Sequence, residues 1–400
     1  MRELDMENFE PSSKKKYIFT PKFKALVCRF ITVVLSVILI LVAHNYYSSK
    51  LSLFNVADAI AVKARIVQLD ELVYDSADMG GGAEFQSSSQ YFHAEILTGE
   101  YKGNTVYAVQ MSDNLGQGEE EPVKVGDKVI LYNYGMETDG ASFVFGGYSR
   151  LDTIIVLGAV YCLLLLVFGR FKGLNTMLSL GFTCLTVFCV FLPAVMTGAN
   201  IYGITIAVCI FVIVMTLLIT EGPSYKSITT IIGCSFGVLV AAVLEISLDK
   251  IMRLTGIIDE HSVYLTYYDP PLDLNALIFA MVVIGAMGAV MDVAMDISSS
   301  LHELHVKAPA LKFNELFNSG ITIGRDVMGT MANTLVLAYI GSSLCSIILM
   351  LSYSSSLVEL LNRESIVVEL MNGLIGSMAI LLTIPLTSLV CAFIYADKKK

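Results

Sequence analysis

Apolar residues run in blocks along this chain, and the blocks set its architecture. Uncharged, apolar stretches extend from Phe30 to Ser49, Thr153 to Gly169, Gly173 to Thr220, Ser227 to Leu244, Leu274 to Met291, Val327 to Val358 and Leu370 to Ala396. A helix rises 1.5 Å per residue, so crossing about 30 Å of hydrocarbon takes roughly 20 such residues. The stretch from Gly173 is long enough for two crossings with a hinge at Thr197-Gly198-Ala199-Asn200, which gives eight spans. Between the first two blocks the texture changes to alternation, as in Val62–Val67, Tyr91–Leu97, Thr105–Val109 and Lys128–Tyr132. Period 2 bounded by Gly, Asp and Asn turns predicts strands of a small antiparallel barrel. Val125-Gly126-Asp127-Lys128-Val129 is the turn-then-strand phrase of OB-like barrels. Gly80-Gly81-Gly82 through Ser87-Ser88-Ser89 reads as a flexible loop, and Glu119-Glu120-Glu121 as a solvated acidic turn.

The fold class expected is therefore a polytopic α-helical membrane protein of about eight transmembrane helices, with a small external antiparallel β domain, an OB-like barrel, after the first helix. Its parts are a basic cytoplasmic tail (1–23), a transmembrane anchor (24–49), the external β-rich domain (51–148), and a seven-helix bundle (150–396). The bundle carries a cytoplasmic interfacial helix near 299–318, and a basic end (397–400) follows. The first apolar run exceeds the usual h-region of a signal peptide and no A-x-A site follows closely, so it reads as an uncleaved anchor.

Composition supports this and narrows function. Hydrophobic residues make up 55% and charged residues 16%, with a mean hydropathy of +0.69, values no soluble core requires. The net charge of -10 resides entirely between Leu51 and Tyr148, where 15 Asp/Glu face 5 Lys/Arg. The basic residues flank apolar runs and form no stripe along which a phosphate backbone could lie, so nucleic acid is excluded as a partner. All eight cysteines fall inside apolar runs and no CxxC pair occurs, which argues against a disulfide scaffold or a zinc or redox motif.

Orientation follows from basic residues in short connections. With a cytoplasmic N-terminus, the inner segments hold Arg2, Lys14, Lys15, Lys16, Lys22, Lys24, Arg29, Arg170, Lys172, Lys226, Lys307, Lys312, Arg325 and Lys398–Lys400; the short outer loops hold Lys250, Arg253 and Arg363. Both termini are then cytoplasmic and 51–148 is external. The expected partners are the lipid bilayer and a second copy or another membrane subunit.

Candidate chemistry lies where ionisable groups reach membrane depth. Asp292 and Asp296 stand one helical turn apart, below a close-packing surface at Gly285 and Gly288. Arg325 and Asp326 occupy the same cytoplasmic depth on the next span, followed by Thr330, Asn333 and Thr334. Gly373 and Gly376 offer helix packing in the last span. Two readings stand side by side. In one, both aspartates reach water and Arg325 is an ordinary entrance residue. In the other, a buried Asp292–Arg325 or Asp292–Asn333 contact binds or relays a proton. Ser300 and Glu303 have capping-box spacing for the interfacial helix. Glu245 reads as an interface residue. His302-Glu303-Leu304-His305 is one residue short of HExxH, and Gly324-Arg325-Asp326 lacks the GxGD glycine of an intramembrane aspartyl protease. No metal, cofactor or catalytic residue is expected.

The stretch from Gly285 to Ser300, with Glu303, Ser319–Leu335 and Ala338–Gly341, closely resembles the YibE/F family of bacterial integral membrane proteins. The layout of anchor, external domain and helical bundle resembles it too, over nearly the whole chain. The last three helices also look like the ends of the export subunits SecD and SecF, which use proton-coupled, transporter-like helices. That analogy favours a permease or export-type component over two rivals, a non-transporting scaffold acting through its external domain and an intramembrane hydrolase.

Overall fold

The alternating segments close into a five-stranded barrel. In this computed structural model, residues 21–49, 60–78, 84–99, 101–113, 121–133, 135, 141–267 and 270–396 are described. The tail lysines Lys14–Lys16, the triplet Gly80–Gly82, Glu119, Glu120 and Lys398–Lys400 lie outside them. Strands β1 (Ile60–Asp78), β2 (Glu84–Ile96), β3 (Thr105–Asp113), β4 (Lys128–Asn133) and β5 (Phe143–Tyr148) run in the order β1-β2-β3-β5-β4, and β4 pairs with β1 to seal the edge. That is the Greek-key order of an OB fold. Val62, Ala64 and Ile66 on β1, Phe92, Ala94 and Ile96 on β2, Ala108 on β3, and Val129 and Leu131 on β4 fill its interior.

Two expectations about this barrel are corrected. It is not antiparallel throughout, because β3 and β5 pair in parallel through Ala108–Phe143 and Val109–Val144. Ser87–Ser89 is not loop: its backbone pairs with Val73–Asp75 of β1 and with Met111–Asp113 of β3. Polar serines there mark a sheet region with solvent on its faces, which a composition-based reading takes for a loop.

The barrel belongs to one compact unit, Ser52–Val167; the rest of the chain forms the other. Within the first unit, the first turn of α2 (Leu151–Thr186) is fastened to the barrel. The Asp152 carboxylate accepts from Lys63 Nζ at 2.6 Å and from Lys128 Nζ at 2.7 Å.

The helical unit is built from α1 (Pro21–Ser48), the later part of α2, a π-helical turn (Val187–Phe191), α3 (Leu192–Met196), α4 (Ile201–Thr220), α5 (Tyr225–Met252), α6 (Glu260–Thr266), α7 (Leu274–Lys307), α8 (Phe313–Ser342), α9 (Leu344–Tyr353), α10 (Leu357–Asn362) and α11 (Glu364–Tyr395). The hinge before α4 is real: Gly198 takes φ 75°, and the Asn200 side chain caps α4 by accepting from Gly203 N at 3.1 Å. His44 of α1 donates to the Cys189 carbonyl of the π-helical turn at 3.0 Å.

Among the described residues six helices are long and apolar enough to cross a membrane, or seven if the pair α8 and α9, bent by 61°, counts as one. Eight were expected. Leu151–Met196 counts once in that number, but it is two helices meeting at a kink at Arg170, with φ 48° and ψ −125°, so its 46 residues cover the two spans expected there. The separate interfacial helix near 299–318 is corrected. Ser300 sits inside α7, which continues to Lys307, and α8 starts at Phe313 with Lys312 N donating to Glu315 at 2.8 Å.

α7 and α11 pack as a core pair, with α5 on one side and α8 on the other. Glycines set the close approaches. Gly233 and Gly237 of α5 face Thr387 and Thr383 of α11; Gly320 and Gly324 of α8 face Ser388 and Ile384; Gly376 faces Leu335.

Candidate functional site

The cluster expected on α7 and α8 is present in sequence but is not assembled in space. Val290, Val293, Ala294, Ile297, Ser298 and Leu301 form the buried face of α7, and this phase leaves Asp292 and Asp296 exposed. On α8 the buried stripe is Leu316, Gly320 and Gly324, so Arg325, Asp326, Thr330, Asn333 and Thr334 fall on the exposed side. Among the described residues Asp292 bonds neither Arg325 nor Asn333. Thr330 donates to the Val327 carbonyl at 2.9 Å, and Thr334 donates to the Thr330 carbonyl. Of the proposed packing glycines, Gly285 lies against the Tyr339 hydroxyl, Gly373 against Val336 and Gly376 against Leu335. Gly288 is exposed, with nothing within 4 Å of an added Cβ. Because Asp292 makes no hydrogen bond or ion pair among the described residues, Asp292→Leu should shift stability by less than about 0.5 kcal/mol, measured by thermal unfolding in detergent.

The polar groups that do meet lie inside the bundle. At the end where α5 begins and α7 and α11 finish, Thr229 and Ser298 hydroxyls hydrogen-bond each other. Their oxygens lie 2.8 and 3.1 Å from the Lys226 carbonyl, and with one proton each, one hydroxyl donates to that carbonyl while the other donates to its neighbour; the Tyr395 hydroxyl is 3.4 Å from Thr229 Oγ1. Thr229 and Ser298 are fully buried, so the knot fixes α5, α7 and α11 in register. The rings of His302 and His305 lie 5.5 and 5.3 Å from that of Tyr395, and their Nδ1 atoms are buried without partners. Among the described residues no group of three or more His, Cys, Asp or Glu side chains gathers to hold a metal.

Toward the other end of α5 is Glu245, which the apolar pattern places at the interface and the structure places inside the bundle. Glu245 is 1% exposed, its Oε1 has no hydrogen-bond partner, and one turn on the Oδ1 of Asp249 is also buried and unpartnered. A signal for it existed. Gly233, Gly237, Ala241 and Glu245 repeat every four residues, so the carboxyl lies on the stripe that packs against α7 and α11. Asn372 of α11, 3% exposed with a partnerless Oδ1, adds a third such group in the bundle.

Comparison with known proteins gives one result. The family described as YibE/F-like protein matches residues 157–397, which spans the whole helical unit beyond α1. No curated protein and no solved structure matches. The long apolar helices and this family together point to a membrane protein. With more than half its length matched by that family, the chain belongs to the YibE/F-like proteins.

Proposed function

We propose that the chain is a permease or export-type component of a bacterial plasma membrane, both termini cytoplasmic, in which the helical bundle undergoes an ion-linked conformational change. It acts without catalysing a reaction. The observation that carries this reading is Glu245, a carboxyl buried in the bundle with an unpartnered oxygen. Intramembrane ionisable groups are costly and mark ion pathways. A buried carboxyl with neither ion pair nor hydrogen-bond donor among the described residues is a position at which a proton or cation can arrive and leave.

Purified protein in liposomes, with internal pH followed by a trapped dye, tests the proposal. Wild type should dissipate an imposed pH gradient faster than empty vesicles. Glu245→Gln, which keeps the shape and removes the titration, should elute as a folded species and dissipate it no faster than the lipid. Equal rates for wild type and Glu245→Gln would remove the ion-coupling argument.

A second reading, a scaffold acting through its external domain, has its own support. Tyr91 and Tyr107 stack at 5.6 Å on the β2–β3 face, and His93 is 5.0 Å from Tyr107. This is the face on which OB folds hold their ligands. Asp292 and Asp326, the pair a hydrolase would need, are both exposed.

A further inference from the structure

Between the π-helical turn, α7, α8 and α11 lies an open-sided cavity of about 600 Å³. Phe191, Leu192, Leu277, Met281 and Ile284 supply apolar walls, while one corner carries Tyr339, Glu369 and Asn372. Among the described residues no Lys or Arg lines it. Among the described residues the Glu369 carboxylate makes no ion pair, and neither it nor the Tyr339 hydroxyl makes a side-chain hydrogen bond. Asn372 is 3% exposed and its Oδ1 is unpartnered. A buried amide oxygen without a partner is destabilising, and a ligand donor would offset that cost.

The backbone around the cavity is irregular on two sides. The π-helical turn contributes Phe191, and the 61° bend between α8 and α9 follows Ser342, another wall residue. π-Turns and broken helices recur at binding sites within bundles because they open space and free backbone groups. Gly285 adds to this: a Cβ there would fall on the Tyr339 hydroxyl, so the missing side chain leaves the tyrosine its place in the wall.

The polar corner therefore offers acceptors and one negative charge, with no cation of its own, and the remainder is apolar. We infer that this cavity binds an amphipathic amine, its protonated nitrogen held by Glu369, Asn372 and Tyr339 and its apolar body lying along Phe191, Leu192, Leu277, Met281 and Ile284. The volume suits a drug-sized molecule. The inference concerns equilibrium binding and stands apart from the transport reading.

The test uses the full chain in phosphatidylcholine nanodiscs, whose headgroup nitrogen has no N–H to compete. The probe is monodansylcadaverine, a fluorescent primary amine, and the control is its N-acetylated, uncharged form. Wild type should bind the amine saturably. Glu369→Gln should weaken it at least about tenfold while changing the acetylated form less than about twofold, and Glu369→Asp should recover most of the loss. Ile284→Trp, which fills the apolar wall, should weaken both. Each variant is compared at matched thermal stability. In phosphatidylethanolamine nanodiscs, displacement of the probe assigns the site to a lipid ammonium and retention assigns it to a free amine. Absence of saturable binding, or equal loss of charged and acetylated probe in Glu369→Gln, overturns the inference.

Discussion

Gly237→Val should abolish accumulation of folded protein. A Cβ built at Gly237 lies 2.5 Å from Val290 Cγ1 of α7 and 3.4 Å from Thr383 Cβ of α11, and closer still to the Thr383 hydroxyl. Both neighbours are fully buried and branched at Cβ, so neither side chain can swing away. Overpacking of this kind costs about 1–3 kcal/mol per site, and more where three helices meet and none can retreat alone. Gly233→Val should behave alike, since its Cβ would come within 3.0 Å of Thr387 Cβ. The matched control is Gly288→Ala on α7, where nothing lies within 4 Å. It should be neutral or stabilising by about 0.5–1 kcal/mol, the usual gain from removing an interior helical glycine. Size-exclusion profiles of the three variants separate these outcomes; a folded, wild-type profile for Gly237→Val would refute the packing.

The second large effect belongs to the barrel. Expressed as residues 51–148, it should be soluble and β-rich by circular dichroism. Phe92→Ala should lower its unfolding free energy by about 3–5 kcal/mol, the typical cost of deleting a buried aromatic. Phe92 is fully buried among Val62, Ala64, Ile66 and Leu131. Small domains hold only about 5–15 kcal/mol in total, so the variant should sit near its unfolding midpoint without denaturant. Urea titration reads the difference. A shift below about 1 kcal/mol, or a helical spectrum for the parent, would contradict the closed barrel.

Much of the barrel was legible because burial in a strand follows residue parity. Val62, Ala64 and Ile66 alternate in the sequence and are buried in the structure. The parallel β3–β5 pair was not legible, because strand direction depends on how the chain returns and leaves no local pattern at Phe143–Tyr148. The helical site fared worse for a related reason. Hydropathy places a charge along the membrane normal but says nothing of helix phase, and phase decided both errors. The small-residue stripe of Gly320 and Gly324 turns Arg325 and Asp326 outward. On α5 the apolar run stops at Leu244, which led Glu245 to be read as an interface residue. The helix continues to Met252, however, and carries Glu245 inward on the stripe begun by Gly233.

The two lysines that share Asp152 come from different strands, β1 and β4, which are neighbours across the seam that closes the barrel. A single ion pair would be a swivel; two converging on one carboxylate make a bracket that resists both twist and tilt of the barrel on its helical stalk. The Asp152 side chain is 44% exposed, so dissolved ions can reach and screen the bracket. The share of stiffness that this bracket lends the joint thus falls as the salinity of the medium bathing the barrel rises.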